Sequence, residues 1–318
     1  MLVRMKPLPA NGSQQASWLS TATLLGATFF MGSSFVAGKV LLRAVPPLPL
    51  VGWRFLLAAI FTGALLAMRP AQRAQARQEF RELSWRDWAV VAMIGGLQTT
   101  AVMGLLFWAM QSISAGQAAI LLFTNPIWVA ALAPLALKEA LSRRSILALA
   151  LGFVGVILAI GSLGGQHHIT GDLLGLLSAL SWTLATLITK RVNLPIRGLH
   201  LNAWQMLIGS ALLLFLATIL GQNWPASLSL NDWLWFVWLA IPASAGSFGL
   251  WFLALQGSGA ARASSFLFLT PLFTVILSHW TLGETLSASQ AVGGILIGLS
   301  LYMMHATSSR LRRKEPLP

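Results

Sequence analysis

The sequence predicts an all-α membrane protein with ten transmembrane helices in two inverted five-helix repeats. Three observations lead there. The 318-residue chain is 56% hydrophobic and only 9% charged, against about 25% charged in a soluble domain, so lipid has to solvate much of its apolar surface. The few charges leave long gaps: none falls between Trp88 and Leu137, nor in the stretches 145–171, 173–189 and 263–283. Finally, the two halves of the chain repeat each other at a nearly constant offset.

Each gap holds a helix of about 20 residues, enough to cross about 30 Å of hydrocarbon. The spans read as 18–38, 48–68, 88–110, 115–137 and 145–162, then 172–189, 200–220, 232–256, 263–282 and 288–306. Arg4 and Lys6 ahead of an apolar run give the first span the look of a signal peptide. That run exceeds the usual length of about 7–15 residues and a second span follows soon after, so a retained helix is expected. Between the second and third spans, Arg69, Arg73, Arg77 and Arg81 share one helical face beside Phe80 and Trp85. This predicts a short interfacial helix against anionic headgroups. Asp172 and Asp232 read as helix N-caps, and Ser287 with Gln290 as a capping box. Gly152 and Gly155 in the fifth span, and Gly293, Gly294 and Gly298 in the tenth, read as close-packing surfaces.

The repeat is visible residue by residue. At an offset of 145, Phe107 matches Phe252, Gln111 matches Gln256, and Leu122–Phe123 match Leu267–Phe268; Pro126 then matches Pro271 and Glu139 matches Glu284. Earlier the offset is 151, where Trp53–Arg54 faces Trp204–Gln205. The halves are therefore 18–162 and 172–306. Five spans per half is an odd number, so the second half enters the membrane the other way up. The matching turns agree: KEALSRR from Lys138 carries three basic residues and GETLSAS from Gly283 none. Inverted repeats of this kind recur in secondary transporters.

With the N-terminus in the cytoplasm, 18 of the 21 Lys and Arg residues fall on the cytoplasmic side, the positive-inside signature. The net charge of +13 is then a topological address, and no nucleic-acid partner is expected. The expected location is a bacterial inner membrane, multi-pass, with both termini cytoplasmic. The lipid bilayer and a small-molecule substrate are the expected partners, with a homodimer left open.

Polar residues at span centres mark the candidate site, because an unsatisfied polar group costs most there. They are Ser33 and Ser34 in the first span, Gln98 and Thr99 in the third, Asn125 in the fourth, and Trp182 and Thr183 in the sixth. The eighth adds Ser244 and Ser247, with Trp251 nearby, and the ninth Thr270. Six polar-centred helices around a substrate cavity, flanked by the other four, is one reading. Hydroxyls bonding back to their own helices is the other. Pro126 and Pro271 remove backbone donors near midplane and serve as hinges or static kinks. Lys39 and Arg54 are charged candidates near the outer face: Arg54 either snorkels or pairs structurally, or attracts an anionic group.

Absences narrow the function. Without cysteine there are no disulfides or thiolate sites. His167–His168 has no further ligands nearby, and His279 beside Trp280 suits interfacial packing. No metal and no cofactor are expected. No Asp or Glu stands at a span centre, which argues against proton-coupled export of cationic drugs. Walker, nucleophile-elbow and HExxH patterns are missing, so ATP-driven transport and familiar hydrolysis are not indicated and no enzyme is expected.

Three stretches resemble the EamA-like branch of the drug/metabolite transporter superfamily. GSSFVAGK from Gly32, followed by PPLPLVGWRFLLAA, is similar to that branch's first helix hairpin. TNPIWVAALAPLALKEALSRRSILALALGFVGVIL is similar to its fourth and fifth helices, and LTPLFTVILSHWTLGETLSASQAVGGILIGLSLY to its ninth and tenth. Met31 departs from the Trp frequent in the family, so no role is carried to that position. The resemblance implies ten helices, cytoplasmic termini, a central cavity, and export of amino acids, related metabolites or xenobiotics. A small-metabolite exporter working by alternating access is therefore expected. The alternatives are a lipid or polyprenyl-carrier flippase and a membrane-embedded transferase. The topology is checked by fusing alkaline phosphatase or a fluorescent protein to the C-terminus: a cytoplasmic end gives a fluorescent, phosphatase-inactive fusion, and the reverse pattern refutes the assignment.

Overall fold

The structure, a computed structural model, describes residues 10–137, 143–160, 168–196, 198–258, 266–267 and 269–312. Expectations resting on Arg4, Lys6, Lys138, Glu139, His167, Arg197, Arg262 or Phe268 lie outside the described residues. Among those described, the chain is helical throughout, with no strand. The helices are α1 (Ala10–Leu41), α2 (Pro47–Met68), α3 (Pro70–Glu82), α4 (Trp85–Gly95), α5 (Val102–Ala109), α6 (Ala115–Leu122), α7 (Asn125–Leu137) and α8 (Arg143–Ile160). Then follow α9 (Ile169–Arg191), α10 (Gly198–Ile219), α11 (Leu230–Ala240), α12 (Ser247–Ser258), α13 (Leu269–Leu282) and α14 (Ala288–Arg312). Among the described residues, seven helical runs are long and apolar enough to cross a membrane; three shorter apolar helices, Ile146–Ala159, Leu269–Leu282 and Ala288–Ser300, stand where the fifth, ninth and tenth spans are expected. Large side chains such as Ile157, Phe215, Leu234 and Ile295 are more than 60% exposed, a surface that suits lipid and would be costly in water.

Local chemistry sets the helix ends. Ser84 and Ser229 open α4 and α11 with capping boxes closed by Asp87 and Asp232, the same 145 residues apart. Asp232 is thus the box's third helical residue and Ser229 the cap, which corrects the expected role. Asp172 departs further. The cap position of α9 is His168, and Asp172 is buried and accepts a hydrogen bond from Gln117 Nε2 of α6, because a buried carboxylate needs a donor. Ser287 and Gln290 form the expected box.

Two irregularities interrupt the spans at matching positions. A π-helical turn, Gly96–Ala101, joins α4 to α5, and a second, Ile241–Gly246, joins α11 to α12; these too are 145 residues apart. The fourth span breaks outright at Phe123–Thr124, between α6 and α7. Pro126 therefore lies in the first turn of α7, where its missing N–H would be unpaired in any case. Pro271 likewise lies in the first turn of α13. Pro134, by contrast, lies inside α7.

Packing pairs corresponding elements. The most extensive contacts join α8 to α14 and α2 to α10; these are the expected fifth span to the expected tenth and the expected second to the expected seventh. Next, α1 packs on α13 and α12, and α9 on α7 and α5. Exchanging the halves turns each of these contacts into another that is present. Glycines permit the closest approaches: a Cβ at Gly293 would lie 2.6 Å from Gly155 O and from Ala159 N, and one at Gly155 would lie 2.8 Å from Gly293 O. Ser300 Oγ adds a hydrogen bond to the Ala148 carbonyl at 2.5 Å. Gly298, by contrast, meets open space and is no part of the seam.

Because backbone atoms cannot swing aside, Gly293→Leu forces α8 and α14 apart. It should cost about 1–3 kcal/mol or more and lower the thermal midpoint of detergent-solubilised protein on size exclusion. Gly298→Leu should leave that midpoint unchanged.

Candidate functional site

A cavity of about 130 Å³ lies where the interrupted helices meet. Its wall draws on both halves: Met31, Ser34 and Phe35 of α1, Arg54 of α2, Gln98 of the first π turn, and Leu122 and Phe123 at the helix break. From the second half come Trp182 of α9, Ser247, Phe248 and Trp251 of α12, and Leu267. Six expected residues, Ser34, Arg54, Gln98, Trp182, Ser247 and Trp251, thus share one wall. Trp182 packs edge-on against Phe123, with ring centroids 5.9 Å apart.

The other expected residues are buried but not on that wall, and their partners explain why. Asn125 Nδ2 donates to Thr183 Oγ1 at 3.2 Å, and Thr183 donates to the Ala179 carbonyl at 2.9 Å; the pair ties α7 to α9. Ser33 donates to the Phe30 carbonyl and accepts from Trp238 Nε1 at 3.0 Å. Thr99 is packed against Gly209 of α10. Thr270 is fully buried and its hydroxyl has no partner, while Thr274, one turn on, donates to the Gly32 carbonyl at 3.2 Å. Even on the wall, Ser34 donates to Met31 O and Ser247 to Ala243 O and Ser244 O. Most hydroxyls therefore satisfy their own helices, leaving oxygen lone pairs for anything else.

The two charged candidates separate. Lys39 donates to the carbonyls of Met110 and Ile113, supplying partners to backbone acceptors beyond the end of α5, so its ammonium is engaged in structure. Arg54 does not snorkel. It is 3% exposed, and its Nε donates to Ser244 Oγ at 2.7 Å. Ser244 in turn donates to the Leu239 carbonyl at 2.7 Å, a carbonyl next to the second π turn. The guanidinium carbon lies 4.6 Å from the Phe55 ring centroid and 5.4 Å from that of Phe107. Nη1 is buried without a partner.

Reasoning from polar centres alone passes over the apolar wall. Its signal is helical spacing around those centres: Met31, Ser34 and Phe35 follow an i, i+3, i+4 pattern, as do Met103, Leu106 and Phe107. A second, larger cavity of about 360 Å³ lies at the edge of the bundle, between α3, the end of α2 and the start of α10. Glu79 of α3 and His200 of α10 meet beside it at 2.7 Å, both buried, a contact that nothing in the sequence singled out. The expected interfacial helix is thus pinned to the bundle. The central cavity is the better functional candidate, because both halves and both π turns contribute to it, and π turns concentrate at functional sites.

The EamA-like transporter family model matches residues 18–161 and 169–306. The chain is 25% identical over 291 residues to the Bacillus subtilis protein named Uncharacterized transporter YoaV, covering 90% of this chain and 97% of that one. It is 30% identical to Uncharacterized transporter YvbV of the same organism, covering 91% and 92%. It is 29% identical to the Salmonella typhimurium protein named Probable amino-acid metabolite efflux pump, covering 89% and 93%. A crystal structure with 20% identity aligns over 92% of this chain and 99% of its own with a TM-score of 0.62, a likeness of fold. Matched along both halves, multi-pass and membrane-embedded, the chain belongs to the EamA-like transporter family.

Proposed function

We propose that the protein is a secondary transporter of the bacterial inner membrane that exports small metabolites, amino acids and their relatives among them, by alternating access. One observation carries this reading: the central cavity is walled by both halves of the chain. In the proposed cycle the halves, inverted relative to each other, rock about that cavity. The α2–α10 and α8–α14 pairs stay packed, since their contacts are the most extensive and glycine seams lock α8 to α14. Bending falls at the two π turns and at the Phe123–Thr124 break, with Pro126 and Pro271 stiffening the turns that follow. At about 130 Å³ the cavity lies well under the ~300–1,000 Å³ of sites for drug-sized ligands. That favours a small metabolite over bulky xenobiotics or lipid carriers. Direction is inferred from the Salmonella relative's name.

The test is uptake by proteoliposomes of labelled amino acids and related metabolites, with and without a pH gradient. Saturable uptake of one class establishes transport, and gradient sensitivity identifies proton coupling; absence of saturable flux for every solute, with folded protein in the vesicles, refutes the reading. Two variants separate lining from packing. Trp182→Ala should lower flux about tenfold or more with membrane-inserted, folded protein at wild-type level. Asn125→Ala breaks the bond to Thr183 and should cost about 1–3 kcal/mol, so loss of folded protein should accompany any loss of flux.

A further inference from the structure

Arg54 is the cavity's only charged wall residue among those described, and its surroundings are unusual for a cation. Burial in a low-dielectric interior is costly unless a counter-charge compensates. No carboxylate among the described residues lines the cavity. What Arg54 does have is Ser244 at its Nε and two phenyl faces, Phe55 and Phe107. Ser244 orients the guanidinium without neutralising it, and the rings offer only modest attraction. A guanidinium has five N–H donors in a planar fork that matches a carboxylate. Here one is committed to Ser244, and those on Nη1 are unspent. Apart from Ser34, Gln98 and Ser247, which are uncharged, the remaining wall is apolar and aromatic, with Phe123, Trp182, Phe248 and Trp251 among its members.

We propose that Arg54 is the anion anchor of the central cavity, and that the cargo is a small organic monocarboxylate with an apolar or aromatic body. The proposal rests on the transport reading and sharpens it. The carboxylate takes the free edge of the guanidinium while the body lies against the tryptophans. A substrate ammonium finds no carboxylate partner on the described wall, so a monoanion is preferred over the zwitterionic amino acid of the same shape. Seating the anion neutralises the buried charge, so the loaded cavity becomes the electrostatically easier state to carry across. The scaffold supplies this cation once: the residue matching Arg54 in the second half is Gln205, which donates to Asn202 Oδ1 at 2.8 Å.

The experiment uses four probes of one shape: 3-phenylpropionate, its neutral amide 3-phenylpropionamide, zwitterionic phenylalanine and cationic phenethylamine. Binding to detergent-purified full-length protein is read by calorimetry, and flux in phosphatidylethanolamine–phosphatidylglycerol proteoliposomes. Wild type should bind the monoanion at least tenfold more tightly than each of the others. Arg54→Gln should weaken the monoanion about 30-fold or more and leave the amide unchanged; Arg54→Lys should recover part of the loss. Equal binding of carboxylate and amide by wild type would overturn the anchor, and phenylalanine binding as tightly as 3-phenylpropionate would overturn the preference for a monoanion. These wild-type comparisons decide even if Arg54→Gln fails to fold. Saturable amide flux without charge preference sinks the anchor and spares transport. Tight carboxylate binding without flux of any solute sinks transport and spares the anchor.

Discussion

A bilayer offers no water to backbone groups that a helix leaves unpaired, and this constraint organises the molecule. Each departure from regular helix has to be covered by protein or turned toward a polar cavity. The two π turns and the Phe123–Thr124 break all meet this condition in the same place: each contributes to the central wall. There the freed groups find partners, as when Ile127 N donates to Thr124 O at 2.8 Å. The outer pairs show the opposite character. α2, α8, α10 and α14 are continuous helices, and their exposed faces present Ile and Leu side chains. Irregularity inside and regularity outside are two results of one solvent constraint.

Regular helices at the flank leave association to packing, because lipid tails are as apolar as leucine and give no hydrophobic drive. Small residues answer that need. Gly155 and Gly293 bring the backbones of α8 and α14 together, while Gly52 receives Leu214 of α10 into the space beside α2. Polar ties then fix the register of the inner helices. Thr100 donates to Gly209 O at 3.0 Å and Ser178 to Val102 O at 2.7 Å, linking the first π turn to α10 and α9 to α5. A rigid flank with discrete inner ties suits motion in which whole helix groups tilt and do not melt.

Much of this was legible in the sequence because membrane solvation writes itself into composition. Charge-free stretches located the helices, and the 145-residue offset foretold paired features. It foretold more than was read from it, since the capping boxes at Ser84 and Ser229 and both π turns obey the same offset. Polar centres found Ser34, Gln98, Trp182 and Ser247 on the cavity wall. They failed to separate these from Asn125 and Thr183, because a buried amide that lines a cavity and one that ties two helices have the same sequence signature. The difference lies in helix rotation, which the pairing of α7 with α9 sets. The Glu79–His200 contact was illegible for a similar reason: its partners are 121 residues apart, and only the docking of α3 brings them together.

Duplicated architecture also clarifies what a functional asymmetry means. Two halves that exchange their contacts would, if identical, give the cavity two equivalent poles. The position matching Ser244 is Thr99, and the position matching Arg54 is Gln205. In the first half the cation meets the hydroxyl of Ser244 across the interface between halves. In the second, Gln205 bonds within α10 to Asn202, and Thr99 lies against Gly209. The scaffold keeps its two-fold contacts while the charge does not follow them. Arg54 therefore lines the cavity, while the matching amide and hydroxyl, Gln205 and Thr99, are not on its wall and serve the packing of α10. In the proposed rocking cycle, matched contacts would serve the mechanics, which needs two equivalent packed states. In the proposed complex, the single broken pair would give a bound molecule one orientation, and a substrate with one polar end and one apolar end is the kind that gains from having it fixed.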